Sequence, residues 1–161
     1  MKRSPFLRLT LRLAALAIGL FSFGHAMAFF KPFTLFSAVE GTVLMEGKPV
    51  EGLEVQQTWS WHWGEKKGSA VTRTDAQGRF QFPVVTGRSI TGSLLPHQPV
   101  IEQRILFVHQ GKAIDGWSHG KDNYEDQGEL KGKPLRLVCD LKDEAVGRPE
   151  IRSFGICTVQ P

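Results

Sequence analysis

Cysteine is scarce in this chain: its 161 residues hold two, Cys139 and Cys157. Neither has a second Cys or a His at ligand spacing, which excludes the familiar structural zinc patterns. Long apolar runs are scarce too. The one marked stretch, Leu13–Phe21, falls short of the roughly 20 residues that span a bilayer. Helical periodicity nearly vanishes after residue 28, which excludes a helix bundle. Catalytic signatures are scarce as well, and those present lack their structural setting. Among His62, His97, His109 and His119 no His-Glu-x-x-His occurs. Gly116-Trp117-Ser118-His119-Gly120 has the Gly-x-Ser-x-Gly spacing and His62-Trp63-Gly64-Glu65 the His-x-x-Glu spacing. A chain without helical periodicity lacks the strand-to-helix turn that makes such a serine a nucleophile.

What is present begins with an export signal. Lys2, Arg3, Arg8 and Arg12 precede the apolar run, and Ala26-Met27-Ala28 supplies small residues where a signal peptidase reads. Cleavage is expected after Ala28, with 1–28 as signal peptide and 29–161 as one domain. No cysteine lies near the cleavage point, so lipid attachment is not expected. Removing 1–28 takes away four basic residues and no acidic ones, leaving 16 of the 20 against 16 acidic. A neutral mature chain gives no electrostatic case for nucleic acid or anionic membranes. The expected location is periplasmic or secreted. In that oxidising setting Cys139 and Cys157 are expected to pair, closing a loop worth on the order of 3 kcal/mol.

The mature part alternates short β-type runs with Gly- and Pro-rich turns, as an all-β sandwich does. Residues 29–35 form an apolar lead-in and 36–45 a strand, followed by a turn over 46–52. Residues 53–63 form a second strand whose Leu53, Val55, Trp59, Trp61 and Trp63 share one face, with Ser60 and His62 opposite. Gly64–Gly68 makes a charged hairpin tip. Further strands are expected at 69–74, 79–84, 89–94, 101–109, 135–141 and 154–159. Residues 112–132, rich in Gly, Asp, Glu and Lys, are expected to form an exposed excursion.

Two stretches carry a family resemblance. Val39-Glu40-Gly41-Thr42-Val43 leads to Gly47-Lys48-Pro49-Val50-Glu51-Gly52-Leu53-Glu54-Val55. Thr72-Arg73-Thr74-Asp75-Ala76-Gln77-Gly78-Arg79-Phe80 follows. Together they resemble carboxypeptidase-regulatory-like, or transthyretin-like, β-sandwich domains, which read G-x-V, then G-x-P-V-x-G, then T-D-x-x-G-x-F. The resemblance implies a Pro-containing turn into the second strand, an Asp75 side chain bonded to its own backbone, Gly78 at positive φ and Phe80 in the interior. It says little about function. Transthyretin-like hydrolases end in Tyr-Arg-Gly-Ser, whereas this chain ends Ile156-Cys157-Thr158-Val159-Gln160-Pro161.

No enzyme, cofactor or metal is therefore expected. The acidic stretch Asp115–Asp126 has oxygens for calcium but not the EF-hand order. Trp59 and Trp61 are expected mostly in the core, and Trp63 is open between core and surface. The expected function is a non-catalytic periplasmic binding module. Its first form is a protein-binding inhibitor or immunity protein against a periplasm-acting toxin or hydrolase. A carbohydrate- or envelope-binding module and an accessory subunit of an envelope assembly are the alternatives. The expected contact residues are Trp63, Glu65, Lys66 and Lys67 at the hairpin tip, with Trp117, His119 and Tyr124 in the excursion.

Overall fold

Period-two burial writes most of the fold. The computed structural model describes residues 31–160, so the expected signal peptide and its cleavage point lie outside the described residues. Its strands are β1 (Phe33–Phe36), β2 (Val39–Met45), β3 (Lys48–Pro49), β4 (Glu54–Trp61), β5 (Lys66–Arg73), β6 (Arg79–Phe82) and β7 (Val85–Gly87). A short helix, α1 (Ile90–Leu94), precedes β8 (Ile101–His109), β9 (Lys112–Lys121), β10 (Leu135–Asp140), β11 (Val146–Arg148), β12 (Ser153–Gly155) and β13 (Thr158–Val159).

The strands form two main sheets. One has β13, β10 and β2 side by side, with β3 and β6 sharing the far edge of β2; the other runs β11-β12-β9-β8-β4-β5. A two-stranded pair joins β1 to β7. Inward residues of both main sheets meet in one core: Val39, Val43, Phe80, Phe82, Leu135 and Leu137 from the first, Val55, Ile105, Phe107 and Trp117 from the second. This is an all-β sandwich, as the patterning requires.

Local chemistry explains the turns. Asp75 accepts hydrogen bonds from the Gln77 and Arg79 backbone N–H groups at 2.9 and 2.8 Å, and Gly78 has φ +71°. Phe80, after this turn, lies across Gly41. A Cβ at 41 would come within 2.4 Å of the Phe80 ring, so the first glycine of the motif is there for space. The Cys139–Cys157 disulfide is formed. It ties β10 to the segment leading into β13, which pairs with β10 through Leu137–Val159 and Val138–Thr158.

Four expectations need correction. Residues 112–121 are not an exposed excursion but the longest strand of the second sheet, lying between β8 and β12. A bulge disguised it. Ile105 pairs with Trp117 and Leu106 with Asp115, so Gly116 is skipped and the inward parity changes there. Ile114 faces inward before the bulge, and Trp117, His119 and Lys121 after it. Residues 90–94 form a helix turn rather than a strand, because the Ser89 side chain caps the Gly92 N–H at 3.1 Å. The hairpin turn falls at 62–65, so Lys66 and Lys67 already belong to β5. In the lead-in, Phe33–Phe36 is a paired strand.

Candidate functional site

The tryptophan-rich strand ends in the most developed surface feature. Trp61, the last residue of β4, is fully buried. The chain then turns, with the His62 N–H bonded to the Val100 carbonyl at 3.1 Å, and two residues on Trp63 stands 37% exposed. Period two places Trp63 on the core side of an ideal strand. The strand stops at Trp61, and that is why Trp63 escapes.

A hydrogen-bonded chain fixes this end of the sandwich. The Trp61 indole N–H donates to the Tyr124 hydroxyl at 3.0 Å. That hydroxyl lies 2.7 Å from His97 Nε2, and His97 Nδ1 lies 2.9 Å from the Leu95 carbonyl. The directions follow from the groups. A carbonyl only accepts, so Nδ1 carries the His97 proton, Nε2 accepts, and Tyr124 donates to it. Burial raises the Tyr124 pKa above its ordinary 10.0, with the Trp61 N–H acting the other way. Phe33 stacks on Tyr124 with centroids 4.0 Å apart, and Trp63 rests against His97 at 4.4 Å.

On this rigid support sits an apolar surface. Ile90, Leu94, Leu95 and Val100 are exposed, with Leu94 at 66%, and α1 buries none of its residues. Trp63, Gly64, Thr91 and Leu95 help line a depression of about 540 Å³ whose rim includes Glu65 and Arg88. Lys66 reaches across the same edge to the Arg88 carbonyl at 3.3 Å. Exposed apolar surface of this kind, rimmed by charge, marks a contact site.

Of the expected contact residues, Trp63, Glu65, Lys66 and Lys67 are exposed together at this end, and Tyr124 is half-buried beneath them. His97, Leu94 and Leu95 were not expected there; nothing in the pattern of 89–100 joins that segment to Trp63. Trp117 and His119 are a correction. Both are buried, at 1% and 7% exposure, and stack on each other at 5.3 Å inside the sandwich. Trp117 offers no surface to a partner, and His119 shows only an edge, in a cleft on that side.

The interior holds a second constellation that composition concealed. Lys121 and Glu129 form a buried ion pair at 3.0 Å. Glu129 also accepts from the Ser37 N–H at 3.0 Å, the Ser37 hydroxyl at 2.6 Å and the Gln103 amide at 2.7 Å, while Lys121 donates to the Glu125 carbonyl at 2.7 Å. Burial works to raise the Glu129 pKa, but Ser37, Lys121 and Gln103 outweigh it and hold the carboxyl below its ordinary 4.5. Burial pushes the neighbouring His119 below its ordinary 6.5, against the opposing pull of the Glu129 charge. These groups lie beside a cleft of about 830 Å³ lined by His119, Glu129, Leu130, Ile151 and Arg152 among others. All the ion pair's strong contacts are internal, so it anchors the 121–130 segment under Ser37. Among the described residues, no group of three or more His, Cys, Asp or Glu could hold a metal ion.

A family model described as a domain of unknown function, DUF6795, matches residues 39–144. That span runs from the first residue of β2 past β10 and includes Trp61, Trp63, His97 and Tyr124. No curated protein and no solved structure matches the chain.

Proposed function

The chain belongs to the DUF6795 family, and for this member we propose a non-catalytic, exported binding domain that captures a protein partner through the Trp63–His97 end of its sandwich. One observation carries the reading. An exposed Trp63, sharing a depression with Leu95, stands on a support hydrogen-bonded from Trp61 through Tyr124 and His97 to the Leu95 carbonyl. Aromatic anchors of this kind concentrate binding energy, and pre-organisation spares the ordering cost of a flexible loop. In this reading the partner is a toxin or hydrolase acting in the periplasm, and the chain is its inhibitor or immunity protein. We propose also that the fold is of the carboxypeptidase-regulatory-like type; the Asp75–Gly78 turn and Phe80 over Gly41 support it.

The test uses the mature chain as bait against envelope extract, beside Trp63→Ala and a Leu94→Ser, Leu95→Ser double variant, with circular dichroism as the folding control. The expected outcome is one specific protein, held at least about thirtyfold more weakly by Trp63→Ala, the scale of a true anchor. Capture that is undiminished in both folded variants refutes this surface. Retention of a glycan with no protein turns the reading to carbohydrate binding.

A further inference from the structure

Strand β5 lies along a free edge. Its eight residues pair with β4 in unbroken register, from Arg73 opposite Glu54 to Lys66 opposite Trp61, and among the described residues no strand lies on its other side. Among the described residues no other sheet edge is as long. At the far edge of the same sheet β11 has three residues, and the edges of the other main sheet are β13 with two and β3 and β6 with two and four. The backbone groups of β5 that point away from β4 are therefore free donors and acceptors.

The inward side of this edge is hollowed. Beyond Lys66 at its end, Gly68, Ala70 and Thr72, opposite Trp59, Gln57 and Val55, are the residues of β5 on the sandwich side. All three are small. The Trp59 indole fills the place a side chain at 68 would take, since a Cβ there would stand 2.5 Å from its ring. Half-buried, Trp59 thus keeps apolar surface at the sheet edge. The strand itself carries Lys66, Lys67 and Arg73 at its ends and no acidic residue between them, and Arg73 meets Glu54 of β4 at 3.4 Å in an exposed pair.

We infer that β5 accepts, as an added strand, an extended segment of a partner protein with an apolar residue at its centre and acidic residues at its ends. The backbone would supply the pairing, Trp59 the contact for the central side chain, and Lys67 and Arg73 the selection for acid. A second copy of this chain is the poorer occupant. Antiparallel self-pairing keeps residues of one face opposite each other; centred on Ala70 it sets Lys67 opposite Arg73 at both ends, and like charges facing across strands are unfavourable. The inference rests on the binding-domain reading but not on its Trp63 end, so the two can fail separately.

The experiment titrates the isotope-labelled mature chain with two synthetic eight-residue peptides of alternating threonine and valine around a central leucine. One peptide has glutamate at both ends, the other lysine. The glutamate peptide should slow amide exchange along β5, shift the Trp59 indole signal and bind at least about tenfold more tightly than the lysine peptide. A Lys67→Glu, Arg73→Glu variant, changed only at exposed positions, should reverse that preference. Gly68→Val should abolish binding while circular dichroism shows a folded chain. Equal response to both peptides, no protection in β5, or protection that appears with protein concentration alone overturns the inference. The last result would mean self-pairing. A Trp63→Ala chain should bind the glutamate peptide unchanged, so a loss of partner capture in that variant reports on the apolar end and not on β5.

Discussion

Lys121 and Glu129 face each other at 3.0 Å with their side chains 0% and 1% exposed, the most enclosed ion pair among the described residues. Such a pair contributes little relative to an apolar replacement, but removing one partner leaves a buried charge uncompensated. Glu129→Gln or Lys121→Met should each destabilise the domain by about 3–5 kcal/mol. The pH dependence has a definite sign. The Glu129 carboxyl is held below its ordinary 4.5 in the fold, so its contribution is complete above that value and is lost as pH falls through the folded pKa. Urea unfolding of the native chain should weaken across that acid window, and Glu129→Gln should lose this part of the slope.

His119 predicts a second, milder window. Burial keeps its folded pKa below the ordinary 6.5, so the unfolded chain takes up a proton first as the solution is acidified. Stability should therefore be unaffected by this group above about pH 7 and fall below 6.5, by no more than about 1.4 kcal/mol per pH unit, the limit for one proton. The fall should level off once pH passes the folded pKa. Thermal unfolding from pH 8 to 5 reads this slope, and His119→Gln should flatten it. A slope unchanged in that variant would assign it elsewhere.

The disulfide offers a test of energetics rather than of pairing alone. Cys139 and Cys157 enclose a short loop, and opening it by a double change to serine should cost on the order of 3 kcal/mol through the unfolded chain. Intact mass with and without reduction should show one bridge. Equilibrium unfolding of the serine variant should show the loss with no change in the native spectrum.

How far the sequence reveals this molecule depends on which residues are asked. Strands β4, β8 and β10 were legible because their inward positions alternate cleanly. The turn at Asp75 was legible because its chemistry is local. Strand β9 was not. Its bulge at Gly116 changes parity mid-strand, and its glycines and charges read as loop. That one feature carried Trp117 and His119 from the expected surface into the core. Lys121 and Glu129 were hidden for a related reason: a charged residue is read as solvated until something shows the partner that lets it be buried. At the Trp63 end the strand's own residues were visible, but the Leu95–His97 contribution arrives from 34 positions downstream of Trp63 through contacts no periodicity encodes.

The hydroxyl of Tyr124 gives the final prediction, because it joins what the sequence shows to what it hides. It accepts from Trp61 and donates to His97. Tyr124→Phe keeps the stacked ring against Phe33 but removes both bonds, leaving the Trp61 N–H without its partner. An unpaired buried donor of this kind costs about 1–3 kcal/mol. The His97 side would respond differently. Its Nε2 can turn to water, so the change there should appear as motion, with faster amide exchange over 89–97 and a weaker hold of His97 on Trp63. His97→Ala provides the contrast. It removes the ring that Trp63 rests on while leaving the Trp61–Tyr124 bond in place, so stability should fall less than in Tyr124→Phe while the Trp63 environment changes more. Hydrogen exchange and tryptophan fluorescence on the two variants separate these outcomes. If both variants exchange over 89–97 like the native chain, the hydrogen-bonded chain is not what holds that segment.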